Sequence, residues 1–337
     1  MLKGLGSVRP SPDPSTPRVA DSVWSAWTRD ASAVAAFATA RAALAALLGA
    51  RKIRRLWLPA YCCDTLVEGP LSVGVEVAWY DVDAQLDTDV AGLEAGLVAG
   101  DAVLAIAYFG RAPDDGLRAL AARRSDILWI EDRAQALDTG VASLGTVTLY
   151  SPRKLLGVAD GGILVGEHLP SPTVEPADEA ELWRSNDLRR ADPDGLSPEP
   201  WFTAFRAREV AFDAAPAPCG PRTLATLQGL PLAAEAAARR RNWRVLAGRL
   251  GTVALWPDLA PTFAPLAVPI VVDDAGGLVA RLAAQRIWAA RHWADLPSSK
   301  AFAVAHALSQ RCVSLPVDGR YDAEDMSRIA DAVLAIG

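Results

Sequence analysis

Short runs that are apolar throughout alternate along this chain with stretches of helical composition. Residues 56–58 end at Pro59, 75–80 at Asp81, 102–109 at Gly110, and 127–130 at Glu131 and Asp132. Between them lie helical patterns such as 117–124. Strands that are apolar at every position, rather than at every second one, predict a mostly parallel sheet covered on both faces. Residues 32–48 are dense in Ala and Leu and stop at Gly49, which predicts one helix. Residues 146–150 and 162–165 flank a short polar segment and predict an antiparallel return. Residues 168–200, rich in Pro, Asp and Glu, predict a surface excursion. A long helix is expected over 223–250, broken near Pro231, with its Arg run at 239–241 on a solvated face. Residues 268–272, a helix over 278–285, residues 313–315 and a final helix from Ala323 predict a smaller α+β domain. The expected organisation is an extended Pro- and Ser-rich arm at 1–20, a large domain at 21–220 and a small one at 221–337.

Composition narrows the function classes. A length of 337 residues suits two domains sharing a core, and 51% hydrophobic against 22% charged residues is an ordinary globular balance. The net charge of −6 argues against nucleic acid as a partner, which needs a basic face. No apolar run reaches the ~18–20 residues of a spanning helix, and Pro10, Pro12, Pro14 and Pro17 stand where a signal peptide would carry its apolar core. Four cysteines, two of them adjacent (Cys62, Cys63), have neither zinc spacing nor a disulfide framework. They read as small buried residues, no metal is expected, and the expectation is a soluble cytoplasmic protein. Only four of the 34 basic residues are lysines: Lys3, Lys52, Lys154 and Lys300. A lysine kept against that bias draws notice, because an arginine supplies no nucleophilic amine.

In open α/β folds the working residues sit at the carboxyl ends of strands. Asp132 occupies such a place, Gln135 follows three residues on, and Ser151-Pro-Arg-Lys154 follows the next strand. This is the set that pyridoxal 5′-phosphate (PLP) chemistry requires. Lys154 supplies the amine, Asp132 the carboxylate that keeps the pyridine nitrogen protonated, and Gln135 the contact to the ring hydroxyl. Ser151 and the helix start at Thr39-Ala40-Arg41 suit the phosphate, since helix N-termini present free N–H groups to anions. The plain structural readings are a surface lysine, a strand-end cap at Asp132, a helix-surface Gln135 and a turn-capping Ser151.

The motifs FATARAAL (37–44), LPAYCC (58–63), YDVD (80–83), Phe109-Gly110, IEDRAQAL (130–137) and SPRKLLGVADGG (151–162) come in the order seen in fold-type I PLP enzymes. The chain resembles the DegT/StrS family of aminotransferases, many of which act on nucleotide-linked keto-sugars, over roughly residues 30–330. Arg239-Arg240, His292-Trp293 and Leu315-Pro316 extend the likeness into the C-terminal part. The resemblance implies Lys154 as the cofactor lysine, Asp132 as the pyridine carboxylate, Ser151 as a phosphate ligand, and a homodimer with sites at the interface. The chain departs from the pattern in places. The family's Gly-Thr phosphate turn is Ala40-Arg41, which makes Arg41 a candidate for a charge-assisted phosphate contact. The aromatic that stacks on the ring falls at Cys63, leaving Tyr61 as the substitute. A Glu common after the lysine is Asp160, and an Asn that reaches the partner's phosphate is Gly220, before Pro221-Arg222. His292 is a further candidate for reaching a substrate from the small domain.

The expected activity is amino transfer from an amino acid donor to a keto or aldehyde acceptor. Elimination or decarboxylation would use the same cofactor shell and stays open. An intact lysine and aspartate speak against a non-catalytic regulatory protein of this fold. Ser151-x-x-Lys154 also matches the serine-nucleophile motif of penicillin-binding enzymes, but the companion S-D-N and K-T-G strings are absent. No Gly-x-Gly-x-x-Gly turn follows the first strand to bind a dinucleotide.

Overall fold

The structure, a computed structural model, describes residues 4–335 apart from Ser7, Pro14, Ser15 and Ala260. Residues 1–3, 7, 14 and 15 of the expected arm lie outside the described residues. In the N-terminal part the elements run α1 (Val23–Thr28), β1 (Ala33–Phe37), α2 (Ala40–Ala50), β2 (Arg55–Pro59), α3 (Thr65–Ser72), β3 (Glu76–Tyr80), α4 (Val90–Gly96) and β4 (Ala102–Ile106). They continue through α5 (Asp115–Arg123), β5 (Leu128–Asp132), β6 (Ala136–Asp138), β7 (Val147–Tyr150), α6 (Pro152–Leu155) and β8 (Gly162–Gly166). Seven of these strands form one sheet in the order β1-β8-β7-β5-β4-β2-β3. The pairs from β3 to β7 are parallel, and β8 returns antiparallel to both β7 and β1. The mixed sheet is the expected one, including the antiparallel return.

The Ala-rich run at 32–48 is not one helix. Its first part is β1, whose backbone pairs with β8 from Ala33 to Phe37, so sheet hydrogen bonding overrides the helix preference of Ala. Thr39 then caps α2, its hydroxyl accepting the Ala42 N–H at 3.0 Å. Gly162, at the start of β8, allows that close passage, because a Cβ there would collide with the Thr39 carbonyl.

The second correction concerns 168–200. It holds α7 (Glu179–Ala191), followed by α8 (Pro198–Ala211), two helices packed on each other. Leu182, Trp183, Asn186 and Arg189 on α7 are buried, a helical spacing that the charged residues around them mask in the sequence. The long helix breaks as expected, into α9 (Pro221–Gly229) and α10 (Leu232–Leu250). Arg239 is not on a solvated face. It is fully buried and donates to the carbonyls of Pro265 and Leu155, both at 2.7 Å.

The C-terminal part adds β9 (Ala264–Pro265), β10 (Ala267–Val271), α11 (Ala275–Ala284), β11 (Ala290–Arg291), α12 (Ala303–Arg311), β12 (Cys312–Pro316) and α13 (Ala323–Leu334). Here β10, β12 and β11 form a second, antiparallel sheet, while β9 pairs with β6 of the first part. The described arm residues do not stand free. Leu5 is fully buried and bridged to Ile287, the Asn186 amide donates to the Arg9 carbonyl, and Ser11 donates to Asp187. Leu5 buries apolar area that an extended arm would leave in water.

Candidate active site

Strands β1, β4, β5 and β7 run in the same direction, so their carboxyl ends share one edge of the sheet. That edge carries the start of α2, Phe109, Asp132 and Ser151. Asp132 ends β5 with 5% of its surface exposed and accepts the Ala134 N–H at 2.8 Å. Burial pushes its carboxyl up, the Lys154 ammonium and the Ala134 N–H pull it down, and Glu131 pushes the same way as burial. Lys154, on the one-turn α6, is exposed to a cavity of about 740 Å³. Gln135 lines the same cavity, and its Oε1 accepts the Phe109 N–H at 2.7 Å. Phe109 holds a left-handed backbone (φ 53°), a conformation that costs a non-glycine residue about 1–2 kcal/mol and aims this N–H at Gln135.

From the small sheet, His292 and Trp293 reach the cavity wall. His292 Nδ1 lies 2.6 Å from Ser314 Oγ, and its ring meets Phe109 edge-on at 89°. Burial and the Lys154 ammonium hold the imidazole down at about 4, so it is neutral near pH 7. The structure therefore brings together Lys154, Asp132, Gln135 and His292, with Ser151 and the Ala40 end of α2 on the same sheet edge.

Two expected contacts fall elsewhere. Tyr61 is fully buried against Tyr108 and Trp293 and does not line the cavity, whereas Cys63 does. The Arg41 side chain pairs with Glu68 on α3 and donates to the Phe212 carbonyl at 3.2 Å. It is thereby turned from the cavity. The other carboxylates near Asp132 are engaged as well. Glu131 accepts Arg133 Nε at 2.6 Å and the Leu144 N–H at 2.7 Å. Asp160 accepts the Gly220 N–H at 2.7 Å and the Thr223 hydroxyl.

The residues fit PLP. Among the described residues no cationic side chain lies at ion-pair distance from the buried Asp132, and a protonated ring nitrogen is the cation such a carboxylate needs. The Ser151 hydroxyl is 1% exposed as a residue and makes no cap hydrogen bond on α6, which leaves it for a phosphate oxygen. The first N–H groups of α2 lack helical acceptors by geometry. Among the described residues no cluster of three His, Cys, Asp or Glu could hold a metal. The outer cavity wall, with Trp201 and Arg208 of α8 and Arg9 of the arm, lies in segments whose sequence shows no site motif.

The chain is similar in structure to a putative sugar aminotransferase of Streptococcus pneumoniae in its PLP form, with TM-score 0.68 and 14% identity over 99% of this chain and 98% of that one. The chain has that fold. A DegT DnrJ EryC1 StrS aminotransferase from Brucella abortus matches with TM-score 0.60 and 20% identity over 91% of this chain and 86% of that one. The aminotransferase TlmJ from Streptoalloteichus hindustanus matches with TM-score 0.66 and 16% identity over 99% and 92%. No family model and no curated protein matches the chain. The fold-type I architecture expected for this chain is thus the observed one.

Proposed function

We propose that this chain is a PLP-dependent aminotransferase that moves an amino group from an amino acid donor to a keto or aldehyde acceptor, with keto-sugars, including nucleotide-linked ones, as the acceptor class. One observation carries the reading. Lys154 and Gln135 line one cavity at the carboxyl edge of the sheet, and Asp132 lies within electrostatic reach of Lys154. The similar structures, which include sugar aminotransferases, supply the acceptor class.

Bound PLP supplies an electron sink for a bond broken at the substrate Cα. Lys154 Nζ would hold it covalently, and the same amine would move the proton at the substrate Cα. Asp132 keeps the ring nitrogen protonated. Gln135, its Oε1 taken by Phe109, presents its NH₂ to the ring hydroxyl. Ser151 and the first turn of α2 at Ala40 and Arg41 bind the phosphate through hydroxyl and backbone N–H groups.

The finer reading is a cytoplasmic homodimer. All four cysteines are free and buried, as a reducing compartment permits. Among the described residues no helix is long and apolar enough to cross a membrane. Light scattering of the purified protein is expected to give twice the monomer mass, and an active monomer would contradict the dimer.

The function is tested by mass spectrometry of a mixture of protein, PLP, glutamate or glutamine, and a panel of keto-sugars. An amino-sugar product is expected. Loss of carbon dioxide or ammonia from the amino acid, with no aminated product, would move the assignment to decarboxylation or elimination.

A further inference from the structure

Two guanidinium groups on the cavity wall share one carboxylate. Arg153, next to Lys154, donates through Nη1 to both oxygens of Glu209, at 2.8 and 2.6 Å. Arg208 on α8 reaches the same carboxylate only at 3.7 Å, beyond hydrogen-bond range. Its Nη1 donates instead to neutral acceptors, Asn186 Oδ1 at 2.6 Å and the Leu182 carbonyl at 3.3 Å. The Nε atoms of both arginines are buried without a hydrogen-bond partner.

Such an arrangement is costly in the absence of another anion. The Arg208 side chain is 8% exposed, and a buried cation without a charged hydrogen-bond partner pays desolvation that neutral acceptors only partly return. Burial accordingly lowers the Arg208 guanidinium to about 10, Glu209 opposing and Arg153 adding to the fall. Aromatic rings cover the faces of both groups, with Phe212 at 5.1 Å from Arg153 and Phe205 at 5.5 Å from Arg208. A guanidinium stacked by its face offers hydrogen bonds only at its edge, the geometry that takes a carboxylate or phosphate. Both side chains line the cavity that holds Lys154.

We propose that Arg208, assisted by Arg153, is the seat of a substrate oxyanion, a carboxylate or phosphate group that completes the neutralisation of this pair. The proposal rests on the reading of the cavity as the substrate site. An amino donor's carboxylate and a nucleotide-linked acceptor's phosphate share this chemistry.

The test is calorimetric titration of inorganic phosphate into PLP-saturated protein, for wild type, Arg208→Gln and Arg208→Lys. Wild type is expected to bind phosphate, and Arg208→Gln at least about tenfold more weakly. Arg208→Lys should recover part of the loss. Arg153→Gln, at a side chain that is 17% exposed, gives the same reading if Arg208→Gln does not fold. Glutarate and thymidine diphosphate are then added as competitors. Displacement by glutarate names the donor carboxylate, and displacement by the diphosphate names the acceptor. No binding to wild type, equal binding to the glutamine variants, or displacement by neither competitor overturns the proposal. No step requires turnover. A protein that binds phosphate through Arg208 but transfers no amino group would retain the seat and lose the aminotransferase reading.

Discussion

Gln135 Oε1 accepts the Phe109 N–H at 2.7 Å, which ties the turn after β4 to the loop after β5 and orients the amide. With its oxygen occupied inside the protein, the side chain has only its NH₂ to give to a cofactor. Gln135→Leu leaves the buried Phe109 N–H without an acceptor and should cost about 1–3 kcal/mol of stability. Gln135→Glu keeps the acceptor and loses the donor, so it should fold normally and bind PLP more weakly. Urea unfolding and a PLP titration of both variants separate the two effects. Equal PLP affinity in Gln135→Glu and wild type contradicts the hydroxyl contact.

Asp132→Asn tests the electron sink. The substitution keeps size and one hydrogen bond but removes the charge that protonates the ring nitrogen. PLP occupancy should survive in good part, because Lys154 and the phosphate contacts remain. The half-reaction with an amino donor should slow by orders of magnitude, each ~1.4 kcal/mol of lost transition-state stabilisation being a factor of ten. Stopped-flow absorbance at equal cofactor loading measures it. A rate within a few-fold of wild type would make Asp132 only a strand-end cap. Glu131 and Asp160 could not replace it without giving up Arg133 or Thr223.

The parallel strands were legible because each is apolar throughout, and the sheet-edge positions of Asp132 and Ser151 were legible because they stand at the ends of the apolar runs that form β5 and β7. β1 was hidden because Ala carries no strand signal, and only its pairing with β8 places it there. α7 and α8 were hidden because their buried positions are few and their surfaces charged. Tyr61 and Arg41 show the limit of spacing arguments. Two positions along the loop separate Tyr61 in the core from Cys63 on the cavity wall, and a nearby Glu68 redirects Arg41.

Asp318 anchors the arm to the C-terminal part of the chain. Burial acts to raise its carboxyl, but Arg9 and Arg320 outweigh that and hold it well below the usual carboxylate range. Arg9 lies 3.2 Å away and Arg320 2.8 Å. Asp318→Asn removes the carboxylate that both guanidinium groups share and should cost about 1–3 kcal/mol. Limited proteolysis should then cut the arm near Arg9 faster than in wild type. An unchanged cleavage rate contradicts this anchoring.

His292 makes stability depend on pH. Its folded value of about 4 lies below the ordinary 6.5. The unfolded chain therefore binds more protons between these values, and stability present above pH 6.5 is lost as pH falls toward 4. Between pH 7 and pH 5 the contribution is about 2 kcal/mol. Urea midpoints of wild type and His292→Gln at both pH values measure it. The variant should lose less stability on acidification, and an equal loss would place the titrating group elsewhere.

The central claim is that Lys154 carries the cofactor. Borohydride reduction of the PLP-loaded protein, followed by proteolysis and mass spectrometry, tests it directly. The cofactor mass should appear on the peptide containing Lys154. Lys154→Arg should carry none, since a guanidinium has no free amine to form the link. Cofactor mass on the peptide of Lys52 or Lys300, or on none, would contradict the account.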